Sequence, residues 1–363
     1  MDPFLIAAQL TLGALGVLGV ATAAPGLAFD HLGRVVFAFL ITALVSRVSP
    51  QRVVKLSAPF FLGVLALLVL VLFIGVSPDG SDANRWLDLG FFTLQPSELM
   101  KVAVIAYLTA FFYNHLGGVE VWRPLVMVGI AVSLIAAEPN ISTALFIFLL
   151  GLAVMVAAGT TFLRLLRLNL VVAAIVAFLA VPLLNLQYPY LAERVGAHFG
   201  TLAGDEAEAV NYQAERAEHY LQGAGLVGVG AGEPFYLPAR DTDMIAVSVA
   251  RALGFVGTGT LFALYLFIAF RGLRIAARTS GPGALLAAGA TAYICGQAAL
   301  NLLVAARLLP VTGVPLPFVS YGFNSLISVA IALGFLHAAY RASTPAEPEP
   351  EPAPYPPLPQ VGL

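Results

Sequence analysis

In Tyr236-Leu237-Pro238-Ala239-Arg240-Asp241-Thr242-Asp243-Met244-Ile245 a polar loop runs directly into an apolar stretch that opens on a carboxylate. An ionisable group in that position is costly to desolvate and marks function more often than packing. Asp243 is therefore the first candidate for chemistry. Glu98 and Lys101 stand three apart at the head of another apolar run, so they share one helix face and should look into the protein rather than into lipid. Lys101 and Asp243 have opposite charge at similar depth, and a pair between them would offset the desolvation of both. The alternative is an ion pair that only fixes helix packing.

Ahead of Glu98 come Arg85-Trp86 and Leu94-Gln95-Pro96-Ser97. A guanidinium binds phosphate in bidentate fashion and Trp favours the lipid–water interface, so the two suit an anionic lipid headgroup. An aromatic-belt anchor beside a snorkelling Arg is the plainer account. Gly223, Gly225, Gly228, Gly230 and Gly232 punctuate the stretch before Tyr236. They lack the Lys-Ser/Thr ending of a nucleotide loop and fit a mobile connection better. Glu138-Pro139-Asn140-Ile141-Ser142-Thr143-Ala144 and the segment from Pro310 to Gly322 place proline or glycine at membrane depth. Irregular backbone is tolerated there where protein buries it or where it lines a cavity.

These residues are set in a chain built for a bilayer. Of 363 residues 60% are hydrophobic and only 10% charged, with a mean hydropathy of +0.90, against roughly 25% charge in a soluble domain. The net charge of -2 and the absence of a basic stripe give no sign of a nucleic-acid partner, and none is expected. The single Cys295 rules out a disulfide framework or a cysteine metal site. Apolar runs at 4–23, 33–48, 58–76, 98–116, 124–137, 141–158, 168–186, 245–270, 283–305 and 321–340 match the length of bilayer spans. The expected fold is all-α: a polytopic membrane protein of about ten helices.

The short runs at 124–137 and 141–158 are read as two spans rather than one re-entrant unit. No basic region or cleavage site precedes the first span, so it should be retained. With ten spans, Arg47, Arg52, Lys55, Arg123, Arg164, Arg167, Arg271, Arg274, Arg278 and Arg341 fall on one side. That side is cytoplasmic and holds both termini. Residues 1–343 form the membrane domain, with one large extracytoplasmic loop at 187–241 that carries a helix candidate at 206–221. The Pro- and Glu-rich residues 344–363 form a disordered cytoplasmic tail.

Four motifs together resemble the FtsW/RodA (SEDS) family, with a lean toward FtsW. They are Asn84-Arg85-Trp86-Leu87 with Leu94-Gln95-Pro96-Ser97-Glu98 and Lys101; Glu138-Pro139 with Thr143-Ala144; Tyr236-Leu237-Pro238 with Thr242-Asp243; and Leu316-Pro317-Phe318-Val319-Ser320-Tyr321-Gly322. The resemblance spans nearly the whole chain. It implies a peptidoglycan glycosyltransferase of the bacterial cytoplasmic membrane that polymerises lipid II at the outer face during division or elongation. It also implies a class B penicillin-binding protein and other division or elongation proteins as partners. Asp243 matches the aspartate of the family's Thr-Asp motif and is implied to be catalytic. Arg85, Trp86, Gln95, Ser97, Glu98, Lys101, Glu138, Arg240, Thr242, Ser320 and Tyr321 are the expected substrate-binding set.

In that chemistry Asp243 takes the proton of an acceptor hydroxyl while Arg85, Lys101 and Arg240 stabilise the departing diphosphate, alone or with a divalent cation such as magnesium or manganese. No protein metal cage and no organic cofactor is expected. The chain departs from the family in Ala239-Arg240-Asp241, where a Glu and a His are common, in Arg251-Ala252 in place of paired glutamates, and in Gly322-Phe323-Asn324-Ser325 in place of Gly-Gly-Ser-Ser. Asp241 is read as a helix N-cap or a second carboxylate, and Arg251 needs a partner such as Glu98 or Glu138. A lipid II flippase or a noncatalytic scaffold are the alternatives. The flippase predicts a polar path to the cytoplasmic side, and few charges lie in the inner half of the spans.

Overall fold

The computed structural model describes residues 1–77, 84–90, 92–115, 121–161, 163–165, 205–232, 235–310 and 312–343. The expected span at 168–186, residues 187–204 of the outer loop and the tail at 344–363 lie outside them. The described chain is helical apart from one small hairpin. Its helices are α1 (Pro3–Ala23), α2 (Ala28–Val45), α3 (Pro50–Ile74), α4 (Pro96–Asn114), α5 (Trp122–Ala137), α6 (Ile141–Ala157), α7 (Asp205–Gly223), α8 (Ile245–Arg278), α9 (Pro282–Ala305) and α10 (Phe323–Ser343). The hairpin pairs β1 (Leu87–Asp88) with β2 (Thr93–Leu94). Six helices among the described residues are long and apolar enough to cross a membrane, and α5 and α6 are shorter. The chain is a multi-pass membrane protein.

Local chemistry explains where the helices begin. Proline occupies the first turn of α1, α3, α4 and α9, where a missing N–H costs nothing. Asp2 caps α1 through Oδ1, which accepts from Phe4 N at 2.9 Å and Leu5 N at 3.4 Å. Its Oδ2 pairs with Arg271 Nε at 2.6 Å, and Arg341 donates to Ser46 O at 2.9 Å. These contacts gather the start of α1, the end of α2 and the ends of α8 and α10 at one end of the bundle. Glu138 and Asn140 separate α5 from α6, so the two short runs are two helices.

Burial decides which helix is central. Nearly every position of α4 is enclosed, including Met100, Val102, Ala103, Val104 and Ile105. In contrast α2 and α3 turn Val36, Leu40, Leu44, Leu62, Leu70 and Phe73 outward, the pattern of lipid-facing helices. Asn324 at the head of α10 holds the hairpin, accepting from Gln95 N at 3.2 Å and donating to Thr93 O at 2.9 Å.

The expected span at 245–270 is corrected in two ways. The helix runs on to Arg278, and it breaks at Gly254, whose φ of 64° and ψ of -152° are open only to glycine. The 24 residues from 255 to 278 rise about 36 Å, enough to cross a bilayer by themselves. Residues 245–253 therefore form a separate short helix behind Asp243.

The loop after α7 fills the break. Phe255 N donates to Gly225 O at 2.9 Å, Val256 N to Leu226 O at 3.1 Å, and Val229 N to Arg251 O at 2.9 Å. Each group thereby recovers a bond that the helix cannot supply. The two backbones touch through a second glycine: a Cβ on Gly228 would lie 2.4 Å from Ala252 O, and one on Gly254 would lie 2.4 Å from Gly228 N. At Gly225 and Gly228 the expected mobile role gives way to a fixed splice. Gly254→Ala should lower the apparent Tm in detergent by the equivalent of about 1–3 kcal/mol of strain or more. Gly63→Ala on α3, where nothing lies within 4 Å, should leave it unchanged or slightly higher.

Candidate active site

The segment before the short helix is a chain of consecutive carbonyls, each held by a separate donor. Arg240 O accepts from Ser248 Oγ at 2.6 Å, Asp241 O from Tyr321 N at 2.9 Å, Thr242 O from Ser320 Oγ at 2.7 Å and Asp243 O from Asn301 Nδ2 at 2.6 Å. Thr242 N and Met244 N both donate to Ala239 O, closing a tight turn around Ala239 at φ 53°. The half-buried Asp243 is thus fixed through its backbone by α8, α9 and the Pro310–Gly322 segment. A methyl added to Gly313 would sit 3.5 Å from Asp243 Oδ2, so the bare glycine backs the carboxylate.

The second irregular segment is held in the same way. Val314 O accepts from Asn301 Nδ2 at 2.8 Å, Pro315 O from Gln297 Nε2 at 2.8 Å and Pro317 O from the Tyr265 hydroxyl at 2.6 Å. Ser320 Oγ accepts from Leu316 N at 2.8 Å while donating to Thr242 O. Ser320 is therefore shared between the two segments. Tyr321 also reaches α2, its hydroxyl donating to Asp30 Oδ2 at 2.6 Å.

Lys101 does not meet Asp243. Its Nζ lies 2.6 Å from Glu98 Oε1 and donates to Gln297 Oε1 at 2.8 Å. Glu98 Oε2 accepts from Ser328 Oγ at 3.3 Å, and Ser328 lies 2.6 Å from the Tyr293 hydroxyl. Both charges are almost fully enclosed, and their partners on α9 and α10 close the network. The expected pairing with Asp243 fails because a carboxylate three residues away on the same helix face is already in reach. Lys101 acts on the site at one remove, through Gln297 and Pro315.

Arg85 binds the α5–α6 turn, donating from Nε to Glu138 O at 3.1 Å and from Nη2 to Pro139 O at 2.7 Å. Glu138 itself is buried, with neither carboxylate oxygen hydrogen-bonded. Burial raises its pKa to about 8 against the opposing pull of Arg85. Trp86 is half-buried and bridges Val76. Gln95 precedes α4 without capping it by its side chain, and Ser97 is buried with an unpartnered hydroxyl. Arg240 turns to Phe235, lying over its ring and donating to its carbonyl.

Arg251 packs over the rings of Tyr220 and Phe235, at 5.1 and 5.2 Å, rather than against Glu98 or Glu138. Asp241 is not a helix cap: α8 starts at Ile245, with Met244 in the cap position. The expected set thus divides: the Arg240–Asp243 segment meets Ser320 through Thr242 O and Tyr321 through Asp241 O, Glu98 and Lys101 act through Gln297, and Arg85 and Glu138 share a separate turn. Gln297 and Asn301, four apart in the apolar α9, were legible as a polar pair on one helix face. Ser248 and Ser328 carry no comparable signal.

Residues 16–344 match the model of the FtsW/RodA/SpoVE cell cycle proteins. The chain belongs to this family. It is 33% identical to a protein of Thioalkalivibrio sp. (strain K90mix) named probable peptidoglycan glycosyltransferase FtsW, over 95% of this chain and 90% of the relative. Among solved structures it resembles the Thermus thermophilus rod shape determining protein RodA, with a TM-score of 0.69 and 25% identity over 94% of this chain and 96% of that one. It also resembles a chain from a peptidoglycan synthase complex described as coordinating polymerization and crosslinking, with a TM-score of 0.77 and 26% identity over 94% of this chain and 98% of that one.

Asn301→Ala strands the carbonyls of Asp243 and Val314, and should destabilise the protein by about 1–3 kcal/mol per stranded group in thermal unfolding. Lys101→Met should cost about 3–5 kcal/mol by leaving Glu98 buried and unpaired, and the double change Lys101→Met/Glu98→Gln should recover much of that loss. The raised pKa of Glu138 means that the folded state holds a proton which the unfolded chain releases near pH 4.5. Its contribution is therefore fully present below that pH and is lost as pH rises toward about 8. Unfolding curves of Glu138→Gln should show a flatter dependence between those limits.

Proposed function

We propose that the protein is a peptidoglycan glycosyltransferase that polymerises lipid II at the outer face of the bacterial cytoplasmic membrane, with Asp243 as its general base. The observation that carries this is the anchoring of Asp243: consecutive carbonyls from Arg240 to Asp243 are pinned by side chains or backbone from distant parts of the chain. A carboxylate held so rigidly through its backbone is preorganised to receive a proton. The family's named relatives support the reaction class. The acceptor sugar hydroxyl gives its proton to Asp243 as its oxygen attacks the anomeric carbon of the lipid-linked donor. The bond to the diphosphate breaks in the same displacement, and undecaprenyl diphosphate leaves with the electron pair.

Among the described residues no group of three or more His, Cys, Asp or Glu side chains converges. Magnesium or manganese would accordingly act as a counter-ion of the diphosphate. Arg240, three residues from the base, is the nearest cation in sequence. The working partner is a class B penicillin-binding protein, in keeping with the synthase complex that the fold resembles. Both termini are cytoplasmic on the positive-inside rule, since Arg271, Arg274 and Arg278 of α8 and Arg341 of α10 share one side.

Purified protein with its penicillin-binding partner, fluorescent lipid II and a divalent cation should yield glycan. Asp243→Asn should lower the rate by about 10²–10⁴ without changing protein yield or Tm. Equal glycan from both proteins would remove Asp243 from the role.

A further inference from the structure

The residues from Gly223 to Gly232, Gly-Ala-Gly-Leu-Val-Gly-Val-Gly-Ala-Gly, contain no polar side chain, although they follow the charged α7 in what the sequence reads as an aqueous outer loop. The splice to α8 holds them in place, and yet Leu226 and Val227 are 67% and 71% exposed. Phe255 and Val256, whose N–H groups bond Gly225 O and Leu226 O, are exposed beside them. Phe262, Leu266, Phe270 and Leu273 continue that exposure at helical spacing along one side of α8, the pattern of a lipid-facing helix. The loop is the end of this stripe, and an exposed apolar patch of that extent needs an occupant.

Two helices measure its depth. Asp2 pairs with Arg271 at the head of α1, which marks one boundary, and the 21 residues of α1 rise about 31 Å from there, enough to cross the roughly 30 Å hydrocarbon core. Along α8, Phe255 stands 16 positions from Arg271, about 24 Å. Along α1, Gly19 stands 17 positions from Asp2, about 26 Å. A methyl on Gly19 would lie 2.9 Å from Val249 Cγ2, beyond the break at Gly254. Both distances keep Phe255, and the loop bonded to it, inside the core. The loop's backbone meets the demand of that setting: Ala224 O accepts from Gly228 N at 3.1 Å, while Gly225 O, Leu226 O and Val229 N are bonded across the splice.

We propose that Leu226 and Val227 are seated among the acyl chains of the leaflet at the Asp243 end of the bundle, so that the connection from α7 to α8 is inserted in the membrane and not aqueous. The occupant is hydrocarbon. The segment has no polar side chain to select a headgroup, its depth puts a soluble domain out of reach, and its surface is continuous with a lipid-facing helix. Insertion fixes the height of the connection and, through the bond from Val229 N to Arg251 O, of the short helix behind Asp243. This holds whatever reaction the protein catalyses.

The test is spin-label accessibility of the full-length protein in phosphatidylcholine nanodiscs. Nitroxides are attached singly to Leu226→Cys and Val227→Cys in a Cys295→Ala background. Leu266→Cys serves as the lipid-facing reference and Glu215→Cys, exposed on α7, as the aqueous one. Oxygen, which concentrates in hydrocarbon, should reach the labels at 226 and 227 as it does that at 266. A nickel chelate confined to water should reach them several-fold less than it reaches 215. Labels at 226 and 227 that match 215 would put the loop in water, and labels that neither reagent reaches would be covered by protein; either result overturns the proposal. The measurement is repeated with the penicillin-binding partner bound. Unchanged oxygen access supports the lipid assignment, whereas its loss would give this face to the partner and overturn it.

Discussion

A backbone carbonyl buried in an apolar bundle without a helix must find a donor, and that constraint organises the Asp243 end of this protein. Two irregular segments, around Ala239–Met244 and Gly313–Ser320, enter the bundle. Neither can satisfy itself. Asn301 and Gln297 supply amides, Ser248, Ser320 and Tyr265 supply hydroxyls, and Tyr321 supplies a backbone N–H. The side chains that solve this problem also set the position of Asp243, so packing and chemistry share the same bonds.

The buried pair of Glu98 and Lys101 supports that arrangement from below. An ammonium in an apolar interior needs every donor directed, and Glu98, Gln297 and the nearby rings of Phe146 and Tyr293 surround it. Gln297 is held at one end by Lys101 and at the other holds Pro315. The charge pair thus orients an amide, and the amide fixes a loop that touches the Asp243 segment through Ser320. On the other flank, the Gly228–Gly254 contact separates the short helix behind Asp243 from the membrane span and ties it to α7 through the loop that follows.

Helix starts carry local signals, with Pro at the first turn and Asp or Ser at the cap: α1 begins at Asp2-Pro3 close to the expected run, whereas the run expected from 58 begins at Pro50 behind its Ser49 cap, because run length follows apolar residues and Gln51, Arg52 and Lys55 interrupt them. The break at Gly254 was not legible. A single glycine in an apolar run is tolerated in most helices, and only the arrival of Gly228 from another segment makes this one a corner. The cluster of Thr242, Asp243, Ser320 and Tyr321 was legible as motifs. Arg251 was misassigned because stacking on Tyr220 and Phe235 depends on where α7 lies, which no periodicity records.

Composition and apolar run length by themselves determined a multi-pass helical membrane protein, since apolar runs of about 20 residues fit a bilayer as helices that satisfy their own backbone, where a barrel strand needs only about half that length. Residue types and spacing also singled out Asp243, because a carboxylate at the head of an apolar run is costly wherever the chain goes. Tertiary structure alone decided which charge meets which. Lys101 took Glu98, the carboxylate its own helix already presented, and not Asp243, whose backbone carbonyl is held by Asn301. Charge and depth are one-dimensional properties of a sequence; partnership is settled by distance, and distance exists only once the helices have packed.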